Sequence, residues 1–249
     1  MKFVKHGAAA LFTLAATMCP APGANAGPPY VLDDAEPTDY RRYEIYAFTT
    51  GTVTHDGTDG EAGIDFNYGG APDLQLTAVL PVGYSAPAGG AFGGGLGNIE
   101  LAAKYRFLHQ DEIGVDVAIF PRVFLPAGSE AAGQRHASLF VPVWLQKDWG
   151  DWSAFGGGGC ELNRSGDSRD FCIGGAVITR RVLPDLQLGL ELYHESADVK
   201  DGPATTSVGA GITYDLSDNY HLLAYAGRGL QNAATINEVT WYSSILFTF

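Results

Sequence analysis

The chain has 249 residues, of which 33 are glycine, 12% are aromatic and only 17% are charged. This composition is rich in residues that favour strands and turns, so it predicts an all-β protein rather than a helical one. The formal net charge of −13 argues against nucleic acid as a partner, because phosphate binding needs a basic surface.

Residues 1–26 have the pattern of a secretory signal peptide. Two lysines precede an apolar stretch at residues 8–16, and Ala-Asn-Ala at residues 24–26 provides a small-x-small cleavage site. Cleavage would remove both lysines, which takes the net charge from −13 to −15. A lipoprotein signal ending at Cys19 is the alternative, and Met18 disfavours it because methionine is too large for that position.

After the signal, polar and apolar residues alternate along the chain. No segment approaches about 18 consecutive apolar residues, so no transmembrane helix is predicted. Period-two alternation is instead expected of barrel strands that face lipid on one side and a polar lumen on the other. In residues 98–107, apolar side chains at every second position share one face. This pattern predicts twelve strands, near residues 41–53, 61–70, 74–84, 98–107, 113–125, 137–148, 152–162, 171–182, 186–196, 204–216, 220–230 and 238–249.

The connections between these strands alternate in length. Short turns separated by longer Gly- and Asp-rich loops are typical of outer-membrane barrels, with the turns in the periplasm. The sequence therefore predicts a transmembrane antiparallel up-and-down β-barrel of about 12 strands over residues 27–249, in which residues 27–40 form a periplasmic segment. The Gly-rich run at residues 86–97 is assigned to an outer loop.

Cys160 and Cys172 flank a polar segment in a chain predicted to be exported. An oxidising compartment favours a disulfide between them, and two free thiols are the alternative.

The sequence Tyr-His-Glu-Ser-Ala-Asp at residues 193–198 raises an enzymatic alternative. Some outer-membrane lipid hydrolases carry a His-x-Ser pair on the outside of the barrel, as His194 and Ser196 would be here. A serine nucleophile needs a base that a third polar group orients. Val208 stands where that group is expected on the next strand, so hydrolysis is disfavoured. The histidines show no close ligand spacing, so no metal site is predicted, and no cofactor motif is present.

The end of the chain is the most specific local feature. Trp241, Ser243, Ile245, Phe247 and Phe249 share one face of the final predicted strand. A terminal strand usually frays unless it is held. We expect this strand to pair with the strand containing Tyr43 and Ile45, to face outer-membrane lipids, and to engage the barrel-assembly machinery.

Four stretches resemble a known family: residues 27–46, 67–76, 95–107 and 221–233. They are similar to the outer-membrane barrel family named for a meta-pathway of phenol degradation, whose members are also described as transporters. The resemblance implies a channel in the cell outer membrane for passive uptake of small molecules, with aromatic or hydrophobic ones among the candidates. It carries over no substrate residues.

Charged residues on the predicted inner faces are the candidate lumen-lining groups: Glu44, Asp65, Glu100, Lys104, Arg106, Asp116, Arg122 and Glu191. In one interpretation they line a water-filled path and orient solutes. In the other they pair with one another and close the lumen. A turn centred on Gln110 would place Lys104 opposite Asp116, which is the ion pair that the second interpretation predicts.

Overall fold

The computed structural model describes residues 28–127, 136–163 and 169–249, so the predicted signal peptide lies outside the described residues. Within these ranges the chain forms strand segments and two single-turn helices. Their bounds are β1 (Tyr43–Thr54), β2 (Gly57–Ala71), β3 (Leu74–Pro87), β4 (Gly93–Leu96), β5 (Ile99–Leu108), α1 (Gln110–Ile113), β6 (Asp116–Ile119), β7 (Arg122–Leu125), β8 (Ser138–Trp149), β9 (Trp152–Asn163), β10 (Phe171–Leu183), β11 (Leu186–Glu195), β12 (Thr205–Ser217), β13 (Tyr220–Gly229), α2 (Ala233–Ile236) and β14 (Val239–Thr248).

The strands form one closed antiparallel barrel. β4 and β5 pair with successive parts of β3, and β6 and β7 both lie between β5 and β8. Each of these two pairs is therefore one barrel strand in two parts, and the 14 segments make twelve strands. This confirms the predicted fold and strand number. Among the described residues, no helix is long and apolar enough to cross a bilayer.

Alternate side chains of each strand point into and out of the barrel. In β8, Phe140, Trp144 and Gln146 are buried in the lumen, while Val143 and Leu145 are exposed on the outer face. The outer face is thus apolar, as a surface in contact with lipid requires, because hydrocarbon cannot satisfy polar groups.

The break between β6 and β7 has a simple cause. Pro121 has no backbone N–H, so it cannot donate to the ladder at that position. The neighbouring groups still pair: the Phe120 N–H donates to the Pro142 carbonyl (3.1 Å), and the Ala103 N–H donates to the Pro121 carbonyl (3.2 Å). The barrel wall therefore stays hydrogen-bonded on both sides of the interruption.

The connection between β5 and β6 differs from the sequence prediction. Residues expected to form a simple turn form helix α1, which ends at Gly114 in the left-handed conformation (φ 86°). β6 begins only at Asp116, and Tyr105 pairs with Ile119. The predicted pairing of Lys104 with Asp116 is therefore wrong, because Lys104 lies at the level of Phe120.

The N-terminal segment also differs from its prediction. The described part, residues 28–42, does not extend into the periplasm but enters the lumen from the end with the short turns. Leu32 and Ala35 are fully buried. Apolar side chains in this segment gain more from burial against the lumen wall than from exposure to water, which is the physical reason for the correction.

The final strand closes the barrel against the first. Ile45 lies opposite Phe247, and Tyr43 and Phe249 exchange two backbone hydrogen bonds of 2.8 and 3.1 Å. Outside the barrel, the Tyr43 ring stacks on Tyr68 at 4.7 Å and contacts Phe249 at 5.7 Å. These rings form part of an aromatic girdle at the short-turn end.

A charge introduced on the outer face should destabilise the barrel more than a charge introduced on the inner face. Leu190 is the most exposed leucine of β11, at 63%, and it lies near the middle of that strand. Leu190→Arg should lower the free energy of unfolding by about 2–4 kcal/mol, because the charge would enter hydrocarbon. Urea titration of the protein refolded into lipid vesicles measures the loss. The control is Thr213→Arg, whose side chain lines a lumenal cavity. Equal losses for the two variants would contradict the assignment of the faces.

Candidate functional site in the barrel lumen

The N-terminal segment is anchored to the lumen wall through its backbone. Three of its buried N–H groups donate to side-chain oxygens on three different strands: Leu32 to Glu191 (2.8 Å), Ala35 to Gln146 (3.2 Å) and Thr38 to Gln75 (2.8 Å). A segment outside regular structure has no ladder to satisfy its donors, and a buried unpaired N–H is costly. The polar lumen side chains therefore hold the segment in place.

A buried lysine provides the ionic anchor. Lys104 is only 3% exposed, and its Nζ lies 3.0 Å from both the Asp33 and the Asp34 carboxylates. It also donates to the Glu36 carbonyl at 3.2 Å. Removing one partner of a buried ion pair typically costs about 3–5 kcal/mol, because the remaining charge is left unpaired. Lys104 thus ties the acidic segment to β5.

Burial shifts the titration of two groups in the segment. It raises the pKa of the Asp34 carboxyl, while the positive charge of Lys104 acts in the opposite direction. Burial also raises the pKa of the Tyr30 hydroxyl, and the nearby Glu191 carboxylate adds to that shift. Tyr30 is therefore neutral at physiological pH and can act as a hydrogen-bonding aromatic group in the lumen.

Glycines on the inner face make room for the segment. An added Cβ at Gly211 would lie 2.5 Å from Cε1 of Tyr30, and one at Gly189 would meet the Tyr30 hydroxyl. These two glycines lie opposite each other on β11 and β12. Glycine inside a strand often marks the close approach of another part of the chain. Here it forms a seat for the Tyr30 ring.

One side of the lumen is aromatic. Beyond Tyr30, which meets the Tyr225 ring edge-on at 5.8 Å, the segment packs through Leu32 and Ala35 against a buried cluster. The wall members of that cluster are Ala118, Phe120, Phe140, Trp144, Phe155, Val177 and Tyr193. Inward-facing polar groups such as Gln146 and Glu191 lie on the same strands. Apolar and polar groups therefore share this part of the lumen wall.

Three cavities follow one another through the lumen. The central cavity has a volume of about 440 Å³ and contains the segment together with Glu44, Asp65, Glu100, Lys104 and Arg122 in its lining. A turn-end cavity of about 270 Å³ shares Pro28, Asp34 and Glu36 with it. A loop-end cavity of about 310 Å³ shares Glu100 with it. The segment thus separates the first two, and the Glu100 side chain lies between the central and loop-end cavities.

All eight charged residues singled out from the sequence lie on the inner face. Five of them line the central cavity, whereas Arg106 and Asp116 lie near the short turns and Glu191 lies behind the segment. Their contacts are: Glu44 with the Tyr46 hydroxyl (3.0 Å), Asp65 with Asn67 (2.9 Å), Glu100 with Arg122 (2.7 Å, twice), Arg106 with Asp73 (2.9 Å) and Asp116 (3.8 Å), Lys104 with Asp33 and Asp34, and Glu191 with Leu32.

The two cysteines and His194 lie on the outer face of the barrel. Cys160 and Cys172 are directly opposite each other on β9 and β10 and form a disulfide. His194 is also on the outer face, but its Nδ1 lies 2.9 Å from the Thr206 hydroxyl rather than from a carboxylate or amide. The Ser196 hydroxyl accepts a hydrogen bond from the Cys172 N–H (2.9 Å). Among the described residues, no carboxylate or amide is hydrogen-bonded to the His194 ring.

The place of the N-terminal segment in the site does not follow from the alternation pattern of the sequence. Its anchors Gln75 and Gln146 are uncharged amides on inner faces, which look like ordinary lumen residues in the sequence. The run of inward-facing glycines on β9 to β12 was the available signal, since those positions leave the wall without side chains. A row of inward-facing glycines indicates that another part of the chain packs against the wall at those positions.

The glycine seat can be tested by adding one methyl group. Gly211→Ala should displace the Tyr30 ring and lower the free energy of unfolding by about 1–3 kcal/mol through overpacking. Hydrogen exchange at the Leu32 and Ala35 amides should become faster, because the segment loosens. Gly93→Ala is the matched control, since an added Cβ there meets nothing within 4 Å. Unchanged exchange in the Gly211 variant would show that the segment does not depend on this seat.

Comparison with known proteins places this geometry among outer-membrane barrels. The chain is similar to an outer membrane channel from Pseudomonas putida F1, with a TM-score of 0.71, 14% identity, and coverage of 87% of this chain and 98% of that one. It is also similar to the KdgM porin (TM-score 0.54, 15% identity, 83% and 99% coverage) and to the β domain of the Bordetella autotransporter Brka (0.54, 15%, 85% and 100%). These likenesses show the fold.

A search of curated protein sequences found no match. The resemblance seen in the sequence is nevertheless confirmed at the level of the family. The sequence profile of the family described as "Putative MetA-pathway of phenol degradation" matches residues 45–236, which is more than half of the chain, and the protein belongs to that family.

Proposed function

We propose that the protein is an outer-membrane channel through which small molecules pass passively. The observation that carries this proposal is the succession of three cavities along the lumen, each sharing lining residues with the next. A barrel whose interior serves only for stability would be packed with side chains, because empty space inside it forfeits contacts. The short turns then face the periplasm, and the outer face contacts the lipids of the outer membrane.

Two constrictions divide the proposed path. The Glu100 and Arg122 pair separates the loop-end and central cavities, and the N-terminal segment separates the central and turn-end cavities. Both are held by ion pairs rather than by covalent bonds. The path is therefore narrow. Its width depends on the Glu100–Arg122 ion pair and on the ion pairs between Lys104 and the N-terminal segment.

We further propose that the solutes include small aromatic or hydrophobic molecules. Each cavity has an aromatic ring in its lining: Phe124 at the loop end, Phe120 and Tyr242 in the centre, and Phe155 at the turn end. Rings offer apolar contact area and edge-to-face packing to a planar solute. A series of such surfaces lets a solute move from one to the next without being fully hydrated.

The proposed biogenesis follows from the same fold. A signal peptide at residues 1–26 would deliver the chain to the periplasm. The final strand would then engage the barrel-assembly machinery through its Trp241, Ile245, Phe247 and Phe249 face before it pairs with β1.

Planar-bilayer conductance of the purified, refolded protein tests the channel. We expect reproducible current steps for the wild type and a conductance several-fold higher for Lys104→Met. That variant leaves Asp33 and Asp34 without their cation, so the segment should leave the wall and widen the path. Lys147→Met is the matched control, because Lys147 is exposed in β8 and outside the cavity linings.

The outcomes separate a channel from a closed barrel. If neither the wild type nor Lys104→Met conducts, the channel proposal fails and the lumen serves stability alone. If Lys104→Met and Lys147→Met conduct equally, the N-terminal segment is not the constriction.

Lipid hydrolysis is the competing activity, and the outer-face geometry argues against it. The His194 ring is oriented by a hydroxyl, and the Ser196 oxygen already accepts a backbone hydrogen bond. We expect Ser196→Ala and the wild type to release fatty acid from phospholipid vesicles at the same background rate. Titration of the released acid measures that rate. A wild-type rate far above that of the variant would support lipid hydrolysis instead.

A further inference from the structure

The loop-end cavity differs from the other two because no lysine or arginine is among the described residues that line it. Three carboxylates contribute to its lining, from β2, β5 and β9: Glu61, Glu100 and Glu161. The remaining lining residues are Val79, Pro81, Asn98 and Phe124. β2 and β9 are almost on opposite sides of the twelve-stranded barrel. A solute that enters from the loop end therefore passes between carboxylates on both sides.

Among the described residues, two of these three carboxylates have no cationic partner. Glu100 is paired with Arg122 through two hydrogen bonds of 2.7 Å. Within the described ranges, by contrast, neither Glu61 nor Glu161 has a cationic nitrogen within ion-pair distance. The described lining of this cavity is therefore negative without a cation of its own, whereas in the central cavity seven acidic residues share the lining with Arg42, Lys104 and Arg122.

Glu161 is the most informative of the three. It is only 9% exposed, and its Oε1 atom is buried without a hydrogen-bond partner among the described residues. A buried carboxylate oxygen that has no donor is costly, more so than a neutral acceptor. Such an atom in a cavity wall is matched by a solute that brings both a positive charge and an N–H group.

The rest of the lining narrows the class of cation. Among the described residues, no group of three or more acidic, histidine or cysteine side chains converges closely enough to hold a metal ion. The carboxylates are therefore placed for a larger cation. Val79, Pro81 and the Phe124 ring give the cavity apolar surface beside its carboxylates. An ammonium group on a small apolar body satisfies both parts of this surface.

We propose that the loop-end cavity binds small organic ammonium ions through Glu61 and Glu161 and makes the channel select cations over anions. The selectivity part rests on the proposed channel function, while the binding part does not. Long-range attraction by these carboxylates at the mouth would raise the local concentration of cations.

The test uses two measurements on the full barrel in planar bilayers. The first is the reversal potential under a KCl gradient, which we expect to show K⁺ preferred over Cl⁻. The second is block of the K⁺ current by benzylammonium, with benzyl alcohol and benzoate as neutral and anionic probes of the same ring. We expect block by benzylammonium alone.

Isosteric variants assign the effect to the two carboxylates. Glu61→Gln and Glu161→Gln should each shift the reversal potential towards zero and weaken block about tenfold, as expected for loss of one charge-assisted hydrogen bond. Glu112→Gln is the matched control, because Glu112 is exposed in α1 outside the lumen. If Glu161→Gln fails to refold, Glu61→Gln, whose position is less buried, still decides the question.

The possible results separate this proposal from the channel itself. A conducting barrel that prefers Cl⁻, or glutamine variants that match Glu112→Gln, would overturn the proposal and leave the channel intact. If the barrel does not conduct, binding of benzylammonium to the protein in detergent micelles, measured by calorimetry, decides the binding part. Binding that weakens in both glutamine variants supports the site without a channel, and absence of binding overturns it.

Discussion

The need to pair every backbone polar group in a medium without water governs this structure. Hydrocarbon offers no hydrogen bonds, so a sheet that crosses a bilayer must have no free edge. The pairing of β14 with β1 meets that need, and it does so up to the last residue, where Phe249 and Tyr43 exchange backbone hydrogen bonds. Once the cylinder is closed, the outer face can be almost wholly apolar and the polar residues of each strand are directed inwards.

The lumen then presents the opposite problem. Charged and amide groups that face a confined interior need partners of their own, and the wall alone does not provide enough of them. The N-terminal segment provides several: its N–H groups satisfy Glu191, Gln146 and Gln75, and its carboxylates neutralise Lys104. In return, the wall satisfies a stretch of chain that has no secondary structure. Cavities persist beside the segment because a single strand of chain cannot fill a twelve-stranded barrel.

Much of the wall could be predicted from the sequence, because alternation repeats over whole strands and tolerates small errors at their ends. The inward direction of Glu100, Lys104 and Glu191 follows from that period alone. The pairing of Lys104 did not follow, because it depends on the length of the β5–β6 connection, where a single turn of helix delays β6 to Asp116. A local pattern fixes which way a side chain points and leaves open what it meets.

The N-terminal segment escaped prediction for a related reason, since its partners are far away in the sequence. Its hydrogen bonds join residues 37, 111 and 159 positions apart. Forming contacts of such separation costs loop-closure entropy before they stabilise the fold. The part of the chain that precedes every strand therefore depends for its position on strands distributed around the whole barrel. An unfinished cylinder has no enclosed interior to hold it.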